Sequence, residues 1–228
     1  RPLWPGSRPA EAPDWRVLAQ DLIDGLERLG LGSVTGLGHS MGGVLTLWAA
    51  TWRPDLVSRV ILIDPVILPP SWLWFLRIVR ALGGTDRQPL VQSALRRRRS
   101  WPSHQACFDH FRTKPLFARW SDRALMDYVE SGTREGGGGQ VELAFSPEWE
   151  AHIFATTPVD IWNDVGQLRT PTLFVRAEGS NTFRPQAEAR LAQRVPGASF
   201  VTVSDASHLL TMEEPERVAG EILRWYPD

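Results

Sequence analysis

The 228-residue chain is 43% hydrophobic and 22% charged, the balance of a globular protein and not of a disordered or fibrous one. Its net charge of −1 gives no reason to expect nucleic acid or an anionic surface as partner. The single cysteine, Cys107, excludes an internal disulfide and suits a reducing compartment such as the cytoplasm, and no apolar run approaches the roughly 18 residues that a membrane-spanning helix needs.

Residues 1–13, rich in proline and glycine, read as a loop. Trp15, Leu18, Leu22, Leu26 and Leu29 then recur at helical spacing, and Gly30 and Gly32 close that helix. Ser33 to Leu37 is short and partly β-branched and predicts a buried strand. Gly43 to Ala50 predicts a helix halted near Pro54, and Val57 to Asp64 a second buried strand ended by Pro65. Strand, crossover helix, strand is the pattern of a parallel sheet.

Regularity breaks between residue 66 and about residue 160, where amphipathic pieces at 72–82, 88–99 and 121–132 precede a run of glycines at 136–139. The parallel pattern resumes with a strand at 170–176, a helix at 185–195 and a strand at 199–203. A loop carrying His208 and a last helix from Pro215 follow. The expected organisation is therefore a core in two parts, 1–65 and 161–228, with a mostly helical lid inserted at 66–160.

Between the first strand and its helix stands Gly38-His39-Ser40-Met41-Gly42, a G-x-S-x-G motif. A serine on so tight a turn needs small neighbours, and Gly38 and Gly42 stand where side chains are expected to collide. The turn lifts the hydroxyl above the sheet and aims the first amides of the following helix at one point. A serine hydroxyl is a poor nucleophile until a base takes its proton, and imidazole suits that task.

These pieces together resemble an α/β-hydrolase of the capped, single-domain kind. The resemblance is carried by the elbow, by Ser207-His208-Leu209 followed by Glu213 to Val218, and by the helical insertion between sheet strands. It implies a mostly parallel sheet flanked by helices, Ser40 as nucleophile, His208 as base, and the Met41 backbone N–H as one oxyanion donor. In most such hydrolases the acid follows the strand after the lid. Here that stretch reads Ala177-Glu178-Gly179-Ser180-Asn181-Thr182, so Ser180 or Asn181 holds the expected aspartate position and Glu178 falls early. A second arrangement puts the acid at the end of the strand after the elbow helix, which is Asp64. We take Asp64 as the acid, with Asn181 and Glu178 as alternatives; its plainer reading is a turn aspartate before Pro65. The other oxyanion donor normally comes from an early loop that residues 1–37 do not contain. The resemblance thus leads us to expect roughly 60 to 90 further residues upstream, bearing the N-terminal strands, and an exposed apolar edge on the elbow strand without them.

Of the remaining histidines, His39 reads as packing or hydrogen-bonding locally and His104, His110 and His152 as surface or structural residues, and no pair has zinc-ligand spacing. No phosphate-binding glycine loop is present, so neither metal nor cofactor is expected. Trp72, Trp74, Phe75, Phe108, Phe111, Trp120, Phe145 and Trp149 could wall an acyl pocket, although packing is the plainer expectation for most. Arg96 to Arg99 read as a solvated surface. The expected activity is cleavage of a carboxylic ester or related small acyl substrate through an acyl-enzyme on Ser40. Alternatives are a C–C bond hydrolase or acyltransferase using the same Ser–His pair, and a non-catalytic small-ligand receptor on a hydrolase scaffold.

Overall fold

Asp14 starts the first helix, α1 (Trp15–Arg28), by accepting the Arg16 N–H at 2.7 Å. The buried face of α1 is Trp15, Leu18, Ala19 and Ile23, while Leu22 and Leu29 are exposed. The inward stripe therefore runs one position away from the leucine spacing, because Trp15, Ala19 and Ile23 follow at intervals of four and share one face. The structure, a computed structural model, describes residues 7–226, so the first six residues of the expected N-terminal loop lie outside the described residues.

Next come β1 (Val34–His39), α2 (Met41–Trp52), β2 (Val57–Ile63) and α3 (Pro70–Ala81). Helix α2 is apolar nearly all round and buries Val44, Leu47, Trp48 and Ala49, as a helix lying between a sheet and another helix must. Arg16 lies over the Trp48 ring at 4.8 Å, and Asp164 accepts from both side chains, tying α1 to α2.

The chain separates into two compact units, residues 7–82 with 157–226, and Gly83–Thr156. The smaller unit contains α4 (Pro89–Leu95), β3 (Ser100–Trp101), α5 (His104–Arg112), α6 (Asp122–Gly132), β4 (Thr133–Glu135), β5 (Val141–Leu143) and α7 (Pro147–Ala155). It begins one helix later than residue 66, since Arg77 and Arg80 of α3 donate to the carbonyls of Val159 and Thr157 in the larger unit. Its three strands form an antiparallel sheet in the order β3-β5-β4, a feature the sequence did not predict. Strands of two or three residues are too short to show alternation.

The larger unit continues with α8 (Trp162–Val165), β6 (Thr172–Ala177), α9 (Pro185–Arg194), β7 (Ser199–Val203), α10 (Leu210–Glu213) and α11 (Pro215–Trp225). Among the described residues its sheet is wholly parallel, in the order β1-β2-β6-β7, with Leu62 opposite Gly38 on one side and Phe174 on the other. Parallel strands all end on one side, so the segments after β1, β2, β6 and β7 emerge together at a single rim. Beneath that rim Ile61, Ile63, Leu173, Val175, Val203 and Leu210 form a continuous buried cluster. β1 is an edge strand among the described residues, and its Leu37 is exposed. No helix among them is long and apolar enough to cross a membrane.

Candidate active site

Ser40 sits between β1 and α2 with φ 56° and ψ −120°, a region that a residue with a Cβ enters only when its surroundings force it. The Ser40 N–H donates to Ile63 O at 3.0 Å, which binds the elbow to the end of β2. A Cβ on Gly38 would stand 2.3 Å from Gly42 O, so position 38 must be glycine. The expectation for Gly42 needs correction: a Cβ there would meet nothing within 4 Å. The backbone of Gly42 is the obstacle, and the second crowded position is Gly43, where a Cβ would lie 3.0 Å from Pro65 Cβ.

The structure brings Ser40, His208 and Asp64 into one hydrogen-bonded line. His208 Nε2 is 2.9 Å from Ser40 Oγ, and His208 Nδ1 is 2.8 Å from Asp64 Oδ2. A carboxylate accepts only, so Nδ1 carries the ring proton and Nε2 presents its lone pair to the hydroxyl. Met41 opens α2, and its N–H is one of the first-turn donors that a helix leaves without an intrahelical acceptor.

Asp64 follows the last residue of β2, has φ 41°, and is 0% exposed. Burying a carboxylate is costly unless its lone pairs are filled, and here they are. Oδ1 accepts the Ala177 N–H at 2.9 Å. Oδ2 accepts from Ser180 Oγ at 2.6 Å and Thr182 Oγ1 at 3.0 Å as well as from His208. Ser180 Oγ also accepts the N–H groups of Thr182 and Phe183, at 3.2 and 2.8 Å, which commits its own proton to Asp64. Thr182 Oγ1 is 2.9 Å from His208 Nδ1 and can share that N–H with the carboxylate.

The two alternatives for the acid lie elsewhere. Glu178 Oε2 accepts the Asp205 N–H at 2.9 Å, and Asn181 is exposed. The loop after β6 thus contributes hydroxyls where an acid was sought, and those hydroxyls hold the carboxylate that β2 supplies. Sequence reasoning named Ser180 only as an occupant of the expected aspartate position and gave neither it nor Thr182 a role; the available signal was their place in the loop after β6 together with the choice of Asp64 as the acid.

His39 also departs from expectation. Its Nε2 is 2.7 Å from the His208 carbonyl, and since a carbonyl accepts only, Nε2 is protonated. The bond is not local: it joins the end of β1 to the loop that carries His208. Burial above all holds the His39 ring below its ordinary pKa, opposed by the hydrogen bond to that carbonyl. The same loop is fastened on its other side by Glu213, which accepts Ser207 N–H at 2.8 Å and Ser207 Oγ at 2.5 Å. No cluster of three or more His, Cys, Asp or Glu that could hold a metal occurs among the described residues.

A parallel sheet whose carboxyl rim joins a strand-to-helix serine, an imidazole and a carboxylate defines a protein of the α/β-hydrolase class. Residues 1–221 match the sequence profile of the alpha/beta hydrolase family, and the chain belongs to that family and is a hydrolase of the α/β type. Among its relatives is the abhydrolase domain-containing protein AKT2 of Alternaria alternata, 25% identical over 84% of this chain and 82% of that one. Another is the mouse sn-1-specific diacylglycerol lipase ABHD11, 25% identical over 90% of this chain and 63% of that one. The crystal structure of E-2-(acetamidomethylene)succinate hydrolase shares the fold, with a TM-score of 0.73 and 22% identity over 93% of this chain and 73% of that one.

Proposed function

We propose that this chain is a serine hydrolase that cleaves a carboxylic ester or a related small acyl substrate through an acyl-enzyme on Ser40. The observation that carries the reading is the line Asp64 Oδ2, His208 Nδ1, His208 Nε2, Ser40 Oγ, with separations of 2.8 and 2.9 Å. As Ser40 Oγ bonds to the acyl carbon, its proton passes to His208 Nε2. Asp64 keeps the proton-bearing Nδ1 turned away from the serine and stabilises the imidazolium that forms. The Met41 N–H donates to the oxygen on which negative charge develops. His208 then returns the proton to the leaving alcohol, and a water activated by the same nitrogen releases the acid from Ser40. The lipase name of the mouse relative accords with an ester substrate. The buried Cys107, its thiol pushed up to about 11 by burial, suits a reducing compartment such as the cytoplasm.

A fluorophosphonate probe tests the reading. Wild-type protein should be labelled and release p-nitrophenol from p-nitrophenyl butyrate, and Ser40→Ala should do neither. Absence of labelling in folded wild type, or equal labelling of Ser40→Ala, would overturn it.

A further inference from the structure

Helix α3 carries its apolar residues on the outside. Trp74, Ile78 and Leu82 succeed one another at intervals of four, with Phe75 and Val79 beside them and Trp72 at the margin, so all six share one face. Trp72, Trp74, Phe75 and Leu82 are 45%, 65%, 55% and 80% exposed. The opposite face holds the buried Leu73, together with Arg77 and Arg80, which donate to backbone carbonyls at 2.7 and 2.9 Å. A helix laid on a core turns its apolar side in and its arginines out; α3 is reversed. Its sequence, PSWLWFLRIVRA, contains no acid.

A cleft of about 480 Å³ opens at the N-terminal end of this face, with Pro69, Ser71, Trp72, Arg184 and Arg190 in its wall and no acidic residue. Arg184 lies over the Trp72 ring at 4.8 Å. Arg190 lies over Trp162 at 5.2 Å, and its buried Nε has no hydrogen-bond partner. Neither arginine is in an ion pair among the described residues. Two uncompensated cations beside the positive end of a helix dipole call for an anion.

We propose that α3 is an interfacial helix that lays its aromatic face into the headgroup–acyl boundary of an anionic lipid surface, while the Arg184–Arg190 cleft receives lipid phosphates. Tryptophan and phenylalanine gain from that boundary, where ring bodies leave water and polar edges stay wet, and nearby arginines add attraction to anionic headgroups. A second copy of the chain fits the face less well. A two-fold contact through this face would offer the two arginines no counter-charge, since neither α3 nor the cleft wall contains an acid. The net charge of −1 is a sum over the whole chain and does not describe this patch, whose cleft wall and helix contain no acid. The proposal does not rest on the chemistry of Ser40.

Flotation with vesicles tests it on the whole chain. Wild type should float with phosphatidylcholine–phosphatidylglycerol vesicles and more weakly with phosphatidylcholine alone. Trp74→Ala with Phe75→Ala should lower partitioning roughly tenfold or more, since two exposed rings lose their burial. Arg184→Gln with Arg190→Gln should abolish the preference for the anionic vesicles, about fivefold per arginine. Trp74 and Phe75 are exposed and the two arginines half-buried, and circular dichroism checks that both variants keep the fold. Failure of folded wild type to float, or undiminished flotation of the aromatic variant, would overturn the proposal. So would a wild-type dimer that does not float and that the aromatic substitutions dissociate, which would assign the face to a second copy.

Discussion

Replacing Asp64 by asparagine changes one atom, and the hydrogen bonds around that atom dictate the consequence. Oδ1 must accept the Ala177 N–H, so the new NH₂ takes the place of Oδ2, where Ser180 Oγ–H, Thr182 Oγ1–H and His208 Nδ1–H already point. The Thr182 hydroxyl can rotate, whereas Ser180, which already accepts two N–H groups, cannot; the imidazole can relieve the clash only by moving its proton to Nε2. That nitrogen then faces Ser40 Oγ as a donor and can no longer take the serine proton. The expected loss in kcat is about 10³- to 10⁴-fold, equivalent to about 4 to 5.5 kcal/mol of barrier, with KM changed little. Stability should fall by roughly 2–3 kcal/mol, because buried donors are left facing a donor. The assay is hydrolysis of p-nitrophenyl butyrate, with urea unfolding of the same samples and Glu178→Gln in parallel. An Asp64→Asn enzyme within tenfold of wild type, or a larger loss from Glu178→Gln, would refute the reasoning.

Ser180→Ala leaves the Thr182 and Phe183 amides without their shared acceptor and removes one of four donors from Asp64; unfolding free energy should drop by about 2 kcal/mol and kcat several-fold, read by urea melts and ester hydrolysis. Gly38→Ala drives a Cβ into the Gly42 carbonyl and should abolish soluble, active protein, whereas Gly42→Ala should fold with a thermal midpoint at or slightly above wild type. His39→Phe loses the donor to the His208 carbonyl and should lower kcat about tenfold, with His39→Gln restoring part of it. The His39 ring, depressed by burial, stays neutral in the folded protein while the unfolded chain takes up a proton below the ordinary histidine pKa. The contribution is therefore complete above that value and is lost as the pH falls below it. Urea midpoints should decline on acidification, and less steeply in His39→Gln. His110, lowered chiefly by desolvation, acts in the same direction, so the difference between the two proteins is what is measured.

How much of this is legible in the sequence depends on how local each cause is. Strands β1, β2, β6 and β7 announce themselves as short apolar runs between breakers, and Ser199–Val203 agrees residue for residue with its expected span. Ser40 is legible because the elbow is a local motif, and the relation of His208 to it comes from the resemblance. The choice among Asp64, Glu178 and Asn181 stays open in the sequence because it is a matter of which strand ends face one another. The sheet order settles which of them His208 meets: β2 lies between β1 and β6, so Asp64 emerges between the serine and the loop after β6.

Sequence alone determined the periodicities, the crossover pattern and the strained serine turn, all of which depend on residues within a few positions of one another. Tertiary structure alone decided that Ser180 and Thr182 attend Asp64 across 116 and 118 residues, and that His39 holds the His208 carbonyl across 169. It also decided that α3 faces outward with its tryptophans, since a helical stripe states which side is apolar and says nothing about what that side will meet.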